Sequence, residues 1–215
     1  MKRKLITERT VIETVKSGQK TIMISSDALI TALARDKAKQ LGATFQIVKP
    51  QTVAPSTVSN LLLKQGAERK VALGADHGGF PLKEFLKKVL IEMQFTIVDV
   101  GTHSTESVDY PDFAEAVAKQ VATGECFRGI MIDGAGIGSC MVANKVSGVR
   151  AAMCYDITTA VNCREHNNAN VLTLGSKMIG ETVAEHIVKV FLKTDFAGGR
   201  HQGRIDKMMA VEKKR

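Results

Sequence analysis

The chain lacks tryptophan, has two tyrosines, and gives only 5% of its 215 residues to aromatic side chains. Proteins that hold single-stranded nucleic acid stack its bases on such rings. The scarcity therefore counts against a nucleic-acid binder, despite a net charge of +8. The positive charge is scattered, with small clusters at 1–4 and 213–215, and suits attraction of small anionic substrates. No apolar run approaches the roughly 18 residues of a bilayer-spanning helix, so no membrane partner is expected. The basic start, MKRKLITERT, has no apolar signal core, and a cytoplasmic protein is expected. The four cysteines, Cys126, Cys140, Cys154 and Cys163, fall in no CxxC and no His/Cys zinc spacing. They read as buried free thiols, without a metal.

What the chain does have is the stretch GIMIDGAGIGSCMVANKVSGVR at 129–150. An apolar run, Ile130-Met131-Ile132, ends at Asp133; a glycine turn follows at 134–138, and a helix-compatible segment begins at Ser139. That order makes a small anion pocket, because glycines let successive N–H groups converge and the helix start adds positive potential. The same spacing also fits a turn that binds nothing. No Gly-Lys-Ser/Thr closes it, and GAGIGS lacks the third glycine or alanine of a dinucleotide fingerprint. A nucleotide cofactor is not expected. Asp133 sits at the carboxyl end of its strand, where open α/β sheets bind ligands.

Residues 1–49 read as a small αβαβ unit. Thr7 caps a helix to Lys16, and 21–24 is a strand. Asp27 caps a helix carrying Ala28, Leu29, Ala32, Leu33, Ala38 and Leu41, and 45–48 is a second strand. Pro50 and Pro55 among Gln, Ser and Thr mark 50–69 as a linker, with a short helix at 59–65. From 70 to 215 strands and helices alternate. Strands are expected at 70–74, 95–100, 127–132, 149–154 and 171–174, and helices at 81–93, 112–122, 156–165 and 181–193. The rhythm predicts an α/β fold with a doubly wound parallel five-stranded sheet, Rossmann-like or flavodoxin-like. Asp76 and His77 end the first strand and Asp133 the third, so these ends share a ligand rim. His166-Asn167 ends the helix before the fifth strand.

At these residues the chain resembles the ribose-5-phosphate isomerase B and galactose-6-phosphate isomerase subunit family. The matching motifs are GADHGG (74–79) with Leu82-Lys83, DVGTHSTESVDYPDFA (99–114), GAGIG (134–138) with ANKVSGVRA (143–151), REHNNANVLTLGS (164–176) and GGRHQGRI (198–205). They stand in family order over 70–212. The resemblance implies a sugar-phosphate isomerase that works through an enediolate with no metal or cofactor, on ribose 5-phosphate and ribulose 5-phosphate. It implies that Asp76 and His77 contact the sugar hydroxyls or ring oxygen, that His166 assists ring opening, and that Asn167 and Tyr110 position substrate. Backbone amides around Gly134, Gly136 and Gly138 would face the oxyanion. Arg200 and Arg204, in a glycine-rich tail, would grip the phosphate. A homodimer or tetramer is implied, each site shared between two subunits. Residues 1–66 fall outside this likeness. The segment 20–42 resembles, more weakly, N-terminal regions of some bacterial microcompartment-associated proteins. That would place shell or cargo proteins among the partners of 1–49, and the protein inside such a compartment.

The chain also departs from the family pattern. One branch carries its base, a cysteine, where this chain has Asp133, and another carries a glutamate at the position of Ser139. Where the cysteine branch has a hydroxyl residue two places on, this chain has Ala135. Asp133 is the candidate base: a carboxylate near pKa ~4 is weak, yet when positioned and partly desolvated it can take a proton α to a carbonyl. The alternatives are an isomerase of another sugar phosphate, and a degenerate module that binds sugar phosphate without turning it over. His103, His186 and His201 read as structural or surface residues.

Overall fold

The computed structural model describes residues 5–25, 28–48, 64 and 66–214. The chain divides into two units, Met1–Thr57 and Val58–Arg215.

In the first unit β1 (Leu5–Ile6), α1 (Glu8–Lys16), β2 (Thr21–Ser25), β3 (Leu29–Ile30), α2 (Ala32–Gln40) and β4 (Thr44–Val48) follow in order. β1 pairs with β3 and β2 with β4, both in parallel. Thr7 caps α1 as expected, and its N–H donates to Thr10 Oγ1 at 3.4 Å. Val11, Ala34 and Ala38 project from the two helices onto Ile6, Ile22 and Ile24 to form a small core. The second helix is shorter than its apolar pattern predicts. Leu29 belongs to β3, Ala28 precedes it, and α2 begins behind Thr31, whose Oγ1 accepts the Ala34 N–H at 3.2 Å. β-Branched Ile30 and Thr31 favour extended backbone, and a threonine hydroxyl serves well as a helix cap. The expected cap Asp27 and residues 59–63 of the expected linker helix lie outside the described residues.

The second unit runs β5 (Lys70–Ala75), α3 (Phe80–Glu92), β6 (Thr96–Asp99), α4 (Tyr110–Ala122), β7 (Arg128–Asp133), α5 (Ile137–Ala143), β8 (Ala151–Met153), α6 (Ile157–Glu165), β9 (Val171–Gly175), α7 (Glu181–Lys193) and α8 (Gln202–Ala210). Its five strands form one parallel sheet in the order β6-β5-β7-β9-β8. The central strand shows why both faces are covered. Ile130 and Ile132 point into a core shared with α3, α6 and α7, while Met131 points into a second core shared with α4 and α5. All three side chains are fully buried, each burial worth about 1.5–3 kcal/mol over exposure. The doubly wound parallel sheet is therefore as expected. Relative to a flavodoxin-like order, the last two strands are interchanged. VLTLG of β9 is buried along its length, whereas β8 is three residues long and half-buried. The more apolar strand takes the interior and the shorter one the edge.

Two further elements differ from expectation. α4 starts at Tyr110 rather than 112, since Pro111 fits a first helical turn with its fixed φ and missing N–H. The glycine-rich tail is not a tail: a 3₁₀ turn, Gly199–His201, leads into α8, which buries Ile205. Among the described residues no helix is long and apolar enough to cross a membrane.

Candidate active site

From β5 the chain passes to β6 on one side and later to β7 on the other, so the strand order reverses between β5 and β7. The crevice at such a reversal is where open α/β sheets bind ligands. Asp76 and Asp133 leave the sheet there. Asp76 is buried; its Oδ1 accepts the Gly79 N–H at 2.8 Å, and its own N–H donates to Ile132 O at 3.1 Å. Gly79 must be glycine, because a Cβ there would sit 2.3 Å from the Ile132 carbonyl oxygen. His77 Nδ1 lies 3.1 Å from Val108 O and 3.2 Å from Val108 N, which seats the ring against the loop after β6. Lys83 pins that loop. Its fully buried ammonium donates to both Asp99 oxygens at 2.9 Å and to Thr102 O at 2.7 Å. Burial pushes the Asp99 carboxyl upward, but hydrogen bonds from Lys87 and Lys83 outweigh it and hold the group below the usual carboxylate range.

The glycine turn is wound around Asp133 itself. Oδ1 accepts the Ala135 N–H at 2.8 Å and the Gly136 N–H; Oδ2 accepts the Ser139 N–H at 3.2 Å and the Ser139 hydroxyl. A carboxylate has about four lone-pair sites, and these four donors fill them. The amide of Gly136, expected to face a substrate oxyanion, is spent on Asp133, because the side-chain carboxylate is the anion nearest to the turn. The amides at Gly134 and Gly138 are not among the carboxylate's donors. Gly136 takes the left-handed conformation (φ 79°) that closes the turn. Tyr110 reaches the same place: a Cβ on Gly138 would lie 2.5 Å from Tyr110 Cζ. Three hydroxyls brace the turn from outside. Tyr155 donates to Ala135 O at 2.9 Å and Thr173 to Gly136 O at 2.8 Å, and Ser176 lies within hydrogen-bond reach of both Asp133 O, at 3.0 Å, and Gly78 O, at 2.8 Å, which ties the turn to the loop after β5. Lys177 runs alongside, its Cδ 3.8 Å from where a Cβ on Gly134 would stand.

The remaining predicted residues lie towards the opposite ends of the strands. α6 runs back against the strands, and His166 is its C-cap, just before β9. Val171 at the start of β9 pairs with Gly129 near the start of β7, whereas Asp133 pairs with Gly175 at the far end. That separation along the strands amounts to roughly 13 Å at ~3.3 Å per residue. The C-terminal arm joins His166 there, with the Ala197 N–H donating to Glu165 O at 3.0 Å. His201, read from sequence as structural or surface, is buried and stacks on His166 with centroids 4.3 Å apart and planes 9° from parallel. Burial, then His166, then Arg200 and Arg204 hold the His201 imidazole below its ordinary range. Asn162 Nδ2 lies 2.9 Å from His166 Nδ1 and orients that ring. Arg200 and Arg204 are exposed beside them, and Asn167 follows in the same turn. The carboxyl ends of the strands thus hold Asp76, His77, Tyr110, Asp133 and the glycines; the side towards their amino ends holds His166, Asn167, Arg200 and Arg204. A single copy does not unite them.

A family model described as Ribose/Galactose Isomerase matches residues 71–208. The chain belongs to that family. Ribose-5-phosphate isomerase B of Escherichia coli is 42% identical over 147 residues, 68% of this chain and 99% of the relative. A putative sugar phosphate isomerase of Bacillus subtilis is 45% identical over 146 residues, 67% of this chain and 98% of the relative. Among solved structures, ribose-5-phosphate isomerase B of Clostridium thermocellum aligns with a TM-score of 0.67 and 48% identity, covering 67% of this chain and 98% of that one. The Mycoplasma genitalium enzyme with bound ribulose-5-phosphate aligns with a TM-score of 0.65 and 43% identity, covering 68% of this chain and 97% of that one. Within this ribose/galactose isomerase domain, sequence reasoning missed Lys177, Tyr155 and the His201 stack. Lys177 directly follows the recognised run ending at Ser176; the contacts of Tyr155 and His201 join segments 20 or more residues apart and leave no local signal.

Proposed function

We propose that the chain is an aldose–ketose isomerase of a phosphorylated sugar, interconverting ribose 5-phosphate and ribulose 5-phosphate. The observation that carries this reading is the crevice between β5 and β7, where Asp76, His77 and Tyr110 meet the glycine turn in a chain of this family. Relatives named ribose-5-phosphate isomerase B, one of them with bound ribulose-5-phosphate, support the choice of sugar. Asp76 and His77 engage the ring oxygen and hydroxyls, and His166 assists ring opening. Asp133 removes the C2 proton, and the negative charge that develops on oxygen faces the Gly134 and Gly138 amides. The proton returns at C1 to give the ketose. Tyr110 and Asn167 position the chain of the sugar, and Arg200 and Arg204 hold its phosphate. Asp133 needs one free lone pair for this, which opens when the Ser139 hydroxyl turns away from Oδ2. A second reading rests on the same four hydrogen bonds. In it Asp133 only organises the turn, and the domain binds sugar phosphate without turnover.

The two groups complete one another in a homodimer, with His166, Asn167, Arg200 and Arg204 of one copy facing the crevice of the other. Residues 1–49 act as a separate unit on the 50–69 linker and contact shell or cargo proteins of a microcompartment, where the enzyme would work apart from the bulk cytoplasm. Deleting 1–49 should then leave the isomerase domain folded and abolish co-purification with such proteins. The shared site is tested by mixing Asp133→Asn and His166→Asn proteins after partial unfolding and refolding. Each alone is inactive; statistical hybrids carry one intact site in half of the dimers and restore about a quarter of wild-type activity. No recovery, with hybrids present by mass, contradicts sharing.

A further inference from the structure

The proposed chemistry leaves three buried thiols unused, Cys126, Cys154 and Cys163, and the last two meet. Cys154 directly follows β8, and Cys163 lies on α6; the Cys154 thiol donates to Cys163 Sγ at 3.8 Å, and Cys163 donates to Ala160 O at 3.2 Å. Both are buried, Cys163 at 7% being more open than Cys154 at 1%. Two sulfurs in contact, on segments nine residues apart, need only close to about 2.05 Å to bond. We propose that Cys154 and Cys163 are a redox pair, which hydrogen peroxide converts into a reversible disulfide that tethers α6 to the end of β8.

The two thiols differ in the way such a pair requires. The hydrogen bond from Cys154 and the nearby Arg164 and Arg128 guanidiniums hold Cys163 below the ordinary thiol range against its burial. The Cys163 sulfur and burial drive Cys154 far above that range. Cys163 is thus the attacking sulfur and Cys154 the resolving one. The Cys163 thiolate takes one oxygen from peroxide, giving a sulfenic acid and one water. Cys154 then displaces the sulfenic oxygen as a second water, so two thiols lose two protons and two electrons while peroxide is reduced. The consequence for the site rests on the isomerase reading. Asn162, which orients His166, is the neighbour of Cys163, and His166 lies three residues further on. Drawing Cys163 towards Cys154 therefore displaces both, and a shift of ~1 Å at a reacting group costs on the order of 10- to 100-fold in rate.

The test uses the whole folded protein treated with hydrogen peroxide, alkylated and cut with trypsin. Cleavage after Arg150 and Arg164 leaves both cysteines in one peptide, 151–164, with Cys126 and Cys140 in others. That peptide should be lighter by two hydrogens, unalkylated, and restored by dithiothreitol. Cys154→Ser and Cys163→Ser should each abolish the bond, whereas Cys140→Ser should leave it. Two fully alkylated cysteines in the peptide after oxidation, in folded protein, overturn the pair. Turnover of the oxidised form should fall 10- to 100-fold and recover on reduction; unchanged turnover overturns the coupling to His166. If the reduced protein has no isomerase activity, the isomerase reading fails, while the peptide mass and the movement of the His166 ring resonances on oxidation still decide the proposal.

Discussion

Replacing Asp133 by Asn is the sharpest structural perturbation of the glycine turn, because it keeps the shape and changes only charge and hydrogen-bond sense. The carboxylate now receives the Ala135 and Gly136 N–H groups on Oδ1 and the Ser139 N–H and hydroxyl on Oδ2. The best orientation of an asparagine keeps its oxygen towards Ala135 and Gly136. Its amide nitrogen then faces Ser139, whose hydroxyl can reverse and accept. The Ser139 N–H cannot reverse, and Ser139 is fully buried. One buried donor left unpaired costs about 1–3 kcal/mol, and exchanging charged for neutral acceptors in the other bonds costs about 1 kcal/mol more. Asp133→Asn should therefore lose about 2–4 kcal/mol, read as a lower urea midpoint with an unchanged slope. Asp133→Ala, which strands all three amides, should lose more. A loss below about 1 kcal/mol for Asp133→Asn would show that these donors do not hold the turn, and would remove the reason to invoke Ser139 as a gate.

Other outcomes follow from the same contacts. Lys83→Met leaves the half-buried Asp99 with only Lys87 as a cationic partner, so urea unfolding should show a loss of about 1.5–3 kcal/mol from the charged hydrogen bonds removed; a loss under about 1 kcal/mol contradicts the pinning of the loop. Because Asp99 titrates below its ordinary range when folded, its stabilising contribution is present above ~4 and lost as pH falls through its folded value. His201 has the opposite charge type and a lowered value, so the unfolded chain binds its proton more readily. Its NMR titration midpoint should lie below ~6.5, and stability should fall as pH drops through that range; a midpoint above ~6.5 contradicts the stack.

Local sequence carried the parts of the fold that local physics decides. The apolar run into Asp133, the proline in the first turn of α3, the Asp156 cap on α6 and both limits of α7 were legible because each signal sits within a few residues of its effect. The order of β8 and β9 was not, since it depends on comparing how two distant strands bury. α8 was hidden because glycines at 198, 199 and 203 read as a coil, although Ile205 is buried and the arm packs at Glu165. The site followed the same division. Motif spacing put Asp76 and His77 just past the end of β5 and Asp133 at the end of β7, but the closure of four donors on Asp133 and the placement of His166 towards the opposite strand ends emerge only from three-dimensional packing.

The most direct measurement is to incubate the purified protein with ribose 5-phosphate in deuterated water and follow the C2 proton by NMR. Loss of that signal, with ribulose 5-phosphate appearing at the same rate, is the predicted result and establishes proton abstraction at C2. A retained C2 proton with saturable shifts of the sugar resonances would contradict it, and would leave the domain as a binder in which Asp133 serves only the turn.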